Sequence, residues 1–259
     1  MSSSPGRLAG KVALITGGGA GIGAATARLL KAEGADVLMV DMDGEALGRQ
    51  LAAASPEGGR LAAFEGDASE SVHAQAAVAE VRRLYGRLDI LVNNAARRNY
   101  SAVAEAQPQE WRSVLDVNLL GAAQFCRIAL PALRAAGGGS IVNVSSCYAV
   151  TGRRGMAIYD ASKAALLSLT RTLAHEEAPY NIRANAICPG ATLTDFQVEK
   201  ARDAGVPMDD LLAARKDSSL LGRWAQPTEV AWPILWLASD EASYITGATL
   251  MVDGGRSAM

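Results

Sequence analysis

Histidine is almost absent: His73 and His175 are the only two in 259 residues, and both fall in helix-like stretches. A histidine metal centre or a Ser-His-Asp triad has too little material, so proton transfer must rest on another side chain. Cysteine is nearly as scarce. Cys126, Cys147 and Cys188 are odd in number, far apart and in no Cys-x-x-Cys pair. That speaks against a disulfide framework or a thiolate metal site and for a reducing, cytoplasmic compartment. Aromatic residues make up 5%, and 25 basic side chains are offset by 27 acidic ones, for a net charge of −2. With neither a basic footprint for phosphate backbones nor a stacking platform for single strands, nucleic acid is excluded as a partner. Long apolar runs are missing too. Nothing approaches the roughly 18 residues of a membrane span, and residues 1–6 carry no apolar leader, so no membrane association is expected.

What is abundant is apolar side chain, 49%, and glycine, 26 residues, enough for one core without staples. The run Val12-Ala13-Leu14-Ile15 reads as a buried strand. It is followed by Thr16-Gly17-Gly18-Gly19-Ala20-Gly21-Ile22-Gly23 and an Ala/Leu-rich helix over 24–33 that stops at Gly34. A second strand over 37–40 ends at Asp41. The alternation continues through a helix over 45–54, a weak strand over 61–65 before Asp67, a helix reaching Arg83 and a strand over 89–92. Beyond these come a long helix over 109–135, a strand over 140–144, a helix over 157–177 and a strand over 182–187. A helix over 227–238 and a strand over 249–252 complete the pattern. Strict alternation predicts an α/β chain: a single doubly wound, parallel-sheet (Rossmann) domain across 1–259. The polar stretch 196–221, broken by Gly205 and Pro207, reads as a small mobile substrate lid.

A Gly-rich turn between strand and helix lets a diphosphate approach free N–H groups at the helix N-terminus. Gly17, Gly21 and Gly23, with Ile22 between the last two, are spaced for this. Asp41, eighteen residues beyond Gly23, stands at the end of the second strand, where an acid accepts from adenosine ribose hydroxyls. The same carboxylate repels a 2′-phosphate. No Arg or Lys in 18–20 compensates, and Met42 follows, so NAD is expected over NADP.

Tyr159-Asp160-Ala161-Ser162-Lys163 sets a phenol and an ammonium at i and i+4, on one helix face. A cation beside a tyrosine stabilises the phenolate and brings a weak base toward working range. From about Gly10 to Gly255 the chain resembles the short-chain dehydrogenase/reductase family. The likeness rests on Thr16-Gly-x-x-x-Gly21-x-Gly23, Asp67, Asn93-Asn94-Ala95, Asn118, Ser145-Ser146, Tyr159-x-x-x-Lys163, Pro189-Gly190 and Asp253-Gly254-Gly255. Ser146 lies thirteen residues before Tyr159, the family's usual separation, and is therefore taken as the catalytic serine rather than Ser145.

The resemblance implies hydride transfer between a substrate carbon and nicotinamide, with Tyr159 as acid/base and Ser146 orienting the substrate oxygen. Lys163 would hold the nicotinamide ribose and stabilise the phenolate, and Asn118 would bend its helix and hold a water in the proton relay. Asp67 with Ala68 would meet the adenine, Asn94 the adenosine side, and Pro189, Gly190, Thr192 and Thr194 the carboxamide end. The family also implies a homo-oligomer, dimer or tetramer, built on the helices over 109–135 and 157–177. Two departures are small: Ala96 stands where glycine often follows Asn-Asn-Ala, and Cys147, read as a small buried thiol, follows the serine.

Three basic clusters border the expected pocket: Arg97-Arg98, Arg153-Arg154, and Lys200, Arg202, Arg215 and Lys216 in the lid. A guanidinium fork matches carboxylate, sulfonate or phosphate oxygens. Arg97, Arg153 and Arg154 are the candidates for substrate contact. The small-molecule substrate is then a sugar acid, a sulfonated sugar or another hydroxy acid. An uncharged ketone, acyl or steroid substrate is the alternative. A non-enzymatic dinucleotide sensor would be expected to lose a catalytic residue. An epimerase or dehydratase would carry a longer C-terminal substrate region.

Overall fold

The computed structural model describes residues 6–259; residues 1–5, most of the stretch read above as free of an apolar leader, lie outside the described residues. The sheet grows outward in both directions from β1 (Val12–Thr16). On one side lie β2 (Asp36–Asp41) and β3 (Leu61–Glu65). On the other lie β4 (Ile90–Asn93), β5 (Gly139–Val144), β6 (Ile182–Pro189) and β7 (Thr249–Val252), giving the order β3-β2-β1-β4-β5-β6-β7. All six pairings are parallel. Parallel neighbours require crossovers. These are supplied by α1 (Gly21–Ala32), α2 (Gly44–Ala52), α3 (Ser71–Tyr85), α4 (Pro108–Leu115), α5 (Ala122–Ala135) and α6 (Tyr148–Thr151). After them come α7 (Ala157–Glu177), α8 (Asp195–Asp203), α9 (Met208–Ala213) and α10 (Pro227–Ala238). The expected doubly wound α/β architecture is what the chain forms.

The two-residue period of each strand sorts its side chains into two cores. In β1, Ala13 and Ile15 join Leu30 of α1 and Ile234 of α10, whereas Val12 and Leu14 join Val81 of α3 and Phe125 of α5. Burial on both faces is why these strands read as unbroken apolar runs.

The helix expected over 109–135 is present, with one irregularity: the π-helical turn Asp116–Gly121 joins α4 to α5. Asn118 sits in that turn. Its Oδ1 accepts from the Arg97 N–H at 2.7 Å and its Nδ2 donates to the Arg97 carbonyl at 3.0 Å, tying the turn to the loop after β4. Single π turns in long helices often mark functional positions. By length and composition Pro108–Ala135 is long and apolar enough to cross a membrane. In the fold, its Phe125, Ala129 and Leu133 are fully buried against the sheet.

The stretch 196–221 holds most of α8 and all of α9 and is tied at Leu211 to the segment that follows it. Trp224 Nε1 donates to the Leu211 carbonyl at 2.8 Å, and Thr192 bridges to Ala225. Those contacts are long-range, so a reading of local polarity and glycine placement could not show them.

Candidate active site

The strand order reverses at β1, which has β2 on one flank and β4 on the other, so the segments leaving β1 and β4 diverge at their carboxyl ends. A cavity of about 780 Å³ opens there. Thr16 and Asn94 pin its floor. The Thr16 hydroxyl oxygen accepts from the Asn94 and Ala95 N–H groups at 3.0 and 3.1 Å, while Asn94 Nδ2 donates to the carbonyls of Thr16 and Gly17 at 3.0 and 2.9 Å.

Gly17 and Gly21, at φ +66 and +53, take the left-handed backbone that lets the chain turn tightly into α1. Both line the cavity, with Ile22. Gly23 lies behind it, where a Cβ would stand 1.9 Å from the Gly17 carbonyl oxygen. It serves the close approach of helix to loop. The α1 N-terminus already receives an anion, since the Asp195 carboxylate accepts from the Gly21 N–H at 3.1 Å. This is the geometry in which a helix end takes a diphosphate.

Asp41 ends β2 at the cavity wall, its two oxygens accepting from the Gly19 and Asp43 N–H groups at 2.9 and 3.1 Å. Asp67 and Ala68 line the same end. The Ser69 N–H and hydroxyl hold the Asp67 carboxyl below the usual range, with the Arg97 charge adding to the effect. Pro189, Gly190, Thr192 and Thr194 frame the opposite wall. An acid for ribose hydroxyls, a helix end for a diphosphate and a glycine cradle between them fit a dinucleotide.

Ser146 follows β5, Tyr159 and Lys163 sit one turn apart on α7, and all three line the cavity. Lys163 is 1% exposed and its Nζ donates to the Val144 carbonyl at 2.8 Å. Burial, and next the Arg98 charge, bring its pKa down to about 7. Burial pushes the Tyr159 phenol up; the charges of Arg98 and Arg153 oppose it. The helical spacing pointed to Lys163 as the cation acting on the phenol. In the structure the Lys163 Nζ is 5.8 Å from the ring centroid, and the cations that act on the phenol are two loop arginines, Arg98 and Arg153.

Asn118 does not reach the cavity. Besides its grip on Arg97, its Nδ2 donates to Ser162 Oγ at 2.9 Å, and that hydroxyl donates to the Tyr159 carbonyl at 2.7 Å. The relay of contacts holds the tyrosine's turn of α7 against the π turn. Cys147 is fully buried, and burial pushes its thiol up to about 11, so it stays a neutral thiol.

Of the expected substrate contacts, Arg97 and Arg153 line the cavity, whereas Arg154 is exposed and lies outside it. Arg98 and Arg215 line it too. Both belong to clusters visible in the sequence, but nothing local distinguishes them from their neighbours. The wall residue Trp224 carried no sequence signal, because its place depends on the Leu211 carbonyl. Asp160, buried directly after Tyr159, was legible only as an acid inside the Tyr-x-x-x-Lys motif. Arg153 Nη2 lies 3.1 Å from its Oδ1.

Residues 17–257 match the family model described as enoyl-(acyl carrier protein) reductase. The chain is 41% identical over 254 residues to the short chain dehydrogenase/reductase astE of Aspergillus oryzae, covering 96% of each chain. It is 38% identical over 265 residues to the trans-4-hydroxycyclohexanecarboxylate dehydrogenase of Sinomonas cyclohexanicum, covering 100% of this chain and 97% of that one. The crystal structure of L-sorbose reductase from Gluconobacter frateurii, complexed with NADPH and L-sorbose, aligns with a TM-score of 0.93 at 32% identity, over 99% of this chain and 100% of that one. With this cavity and these relatives, the chain belongs to the short-chain dehydrogenase/reductase family, nicotinamide-dinucleotide oxidoreductases acting on alcohols and ketones.

Proposed function

We propose that this enzyme is an NAD-dependent dehydrogenase of a secondary alcohol that bears an anionic group, such as a sugar acid, a sulfonated sugar or another hydroxy acid. One observation carries the reading. A single cavity has Asp41 at one end and, at the other, Ser146, Tyr159 and Lys163 surrounded by arginines. An aspartate in that place favours ribose hydroxyls and repels a 2′-phosphate. The relatives bear on both sides of the question, a hydroxycyclohexanecarboxylate dehydrogenase on one and an L-sorbose reductase complexed with NADPH on the other.

Bound nicotinamide supplies the hydride acceptor for alcohol oxidation and the donor for the reverse. In oxidation Tyr159 accepts the carbinol proton at its hydroxyl oxygen, and in reduction it returns that proton. Ser146 orients the substrate oxygen. Lys163, anchored on the Val144 carbonyl, would hold the ribose, and Asn118 braces the turn of α7 that carries Tyr159. Asp67, Ala68 and Asn94 would hold the adenosine side, and Pro189, Gly190, Thr192 and Thr194 the carboxamide side. The three buried, unpaired thiols support a cytoplasmic setting.

The test is a panel of polyols, sugars, hydroxy acids and neutral secondary alcohols, incubated with NAD or NADP while absorbance of the reduced cofactor is followed. Preference for NADP overturns the Asp41 argument. Asp41→Ala should raise KM for NAD about tenfold or more, the loss of charge-assisted hydrogen bonds of about 1.5–3 kcal/mol, and should narrow the gap to NADP.

Homo-oligomerisation belongs to the same proposal. The most apolar window of Pro108–Ala135 is less than half buried in one chain, which supports a second copy covering it. Size-exclusion chromatography with light scattering should return a dimer or tetramer; a monomer at working concentration would refute it.

A further inference from the structure

The substrate end of the cavity holds three guanidinium groups, each over an aromatic ring. Arg98 lies 5.0 Å from the Phe196 centroid, Arg153 lies 3.9 Å from that of Tyr148, and Arg215 lies 4.5 Å from that of Trp224. Stacking restrains a guanidinium plane and leaves its N–H edge available to an oxyanion.

The three are not equivalent. Arg153 faces the buried carboxylate of Asp160 at 3.1 Å, so that pair brings no net charge to the cavity. Arg98 and Arg215 have no carboxylate within 4.0 Å among the described residues. The Nε atoms of Arg153 and Arg215 are alike in being buried without a hydrogen-bond partner, so the difference between the two lies in the ion pair. Arg98 stands close enough to Tyr159 and Lys163 for its charge to act on both.

The acids that line the cavity sit elsewhere. Asp41 and Asp67 belong to the adenosine end, and Asp116 begins the π turn whose Gly121 packs against the Ala68 backbone. Arg97 lines the cavity as well, but its charge acts on Asp67, so the end that holds Tyr159 is left with two unpaired arginines, Arg98 and Arg215. One arginine comes from the loop after β4 and the other from the segment following α9, so a group held between them also ties that segment to the body.

Building on the dehydrogenase reading above, we propose that Arg98 and Arg215 clamp a single oxyanion of the substrate, carboxylate or sulfonate. Arg153 is instead a positioning residue, held by Asp160 against the Tyr148 and Tyr159 rings. The substrate class is a short hydroxy acid or hydroxy sulfonate.

The experiment is isothermal titration of the NADH-loaded protein with cyclohexanecarboxylate, cyclohexanesulfonate and neutral cyclohexanecarboxamide, with quenching of tryptophan emission as a second readout. Wild type should bind at least one anion about tenfold or more tightly than the amide, and the two anions show which oxyanion fits. Arg98→Gln and Arg215→Gln should each bring the anion-to-amide ratio toward one, and Arg215→Lys should restore part of it. Arg153→Gln should keep the ratio while lowering kcat on the best alcohol of the panel, and Arg154→Gln serves as the control that changes neither. No preference in wild type, or one that survives both glutamine variants, overturns the clamp. A ratio lost in Arg153→Gln overturns the assignment of Arg153. Anion preference without turnover of any alcohol leaves the clamp standing and defeats the dehydrogenase reading; turnover without anion preference does the reverse.

Discussion

Replacing Tyr159 with phenylalanine is expected to lower kcat by about 10²–10⁴-fold while leaving dinucleotide binding intact, the range for removing one positioned acid/base. The substitution deletes a single oxygen. The ring, 8% exposed, keeps its packing and its place 5.4 Å from the Arg153 guanidinium, so loss of fold is not the expected cause. Turnover by absorbance and dinucleotide affinity by fluorescence titration separate the two; a kcat within tenfold of wild type would sink the acid/base role.

The same assignment dictates the pH dependence and its sign. Oxidation needs the phenolate, so kcat/KM for the alcohol should rise with pH through the Tyr159 pKa. Reduction needs the phenol and should fall over the same range. Burial lifts that pKa, Arg98 and Arg153 pull it down, and Asp160 and Cys147 push it up. Removing a cation therefore moves the oxidative limb toward alkaline pH, and removing an anion moves it toward acid. Arg153→Gln and Asp160→Asn should shift the profile in opposite directions. Shifts of the same sign would show that the pair acts only through packing.

The second large effect is structural and begins at one hydrogen atom. In Gly23→Ala the new methyl group would stand 1.9 Å from the Gly17 carbonyl oxygen and 2.6 Å from Asn94 Nδ2. The nearest obstacle is backbone, which cannot swing aside. Relief requires α1 to retreat from the Gly-rich turn, breaking the bond from Asn94 Nδ2 to the Gly17 carbonyl that pins the cavity floor. The expected destabilisation is about 3 kcal/mol, the upper part of the usual range for overpacking. At roughly 2–4 °C per kcal/mol for a chain of this size, the melting temperature should drop by about 10 °C, and dinucleotide affinity should fall with it. Gly48→Ala in α2 is the control: its Cβ meets nothing within 4 Å, and a helical glycine replaced by alanine gains about 0.5–1 kcal/mol. Equal melting temperatures for the two variants would refute the close-approach argument.

Much of the architecture is legible in the amino-acid sequence. Parallel strands covered on both faces are largely apolar, so β1, β2 and β4 stand out as short apolar runs, each followed by a helix, and β5 does so around its buried Ser140 and Asn143. The start of α1 at Gly21, three residues earlier than the Ala/Leu pattern suggested, is a glycine effect: the turn residues already carry helical hydrogen bonding. The π turn at Asp116–Gly121 was not readable from periodicity. It depends on Asn118 gripping the backbone of Arg97, twenty-one residues away. The tie of Leu211 to Trp224 was hidden for the same reason, as was the Thr192–Ala225 bridge between the segments that flank 196–221.

The sequence by itself determined the reactions open to the chain. With two histidines and no metal-ligand cluster in its pattern, a tyrosine and a lysine one helical turn apart were the available acid/base, and an aspartate at the end of the second strand was the available ribose acceptor. These are local facts, set by helical period and strand ends. Tertiary structure alone decided which arginines matter. Arg97, Arg98, Arg153, Arg154 and Arg215 are chemically identical along the chain, yet Arg153 pairs with Asp160, Arg154 lies outside the cavity, and Arg97, Arg98 and Arg215 line it without an ion-pair partner among the described residues, Arg97 acting on Asp67. Charge pairing and burial act through space over a few ångströms. Residues brought to that distance by the fold, and not their neighbours in sequence, set what each guanidinium can bind.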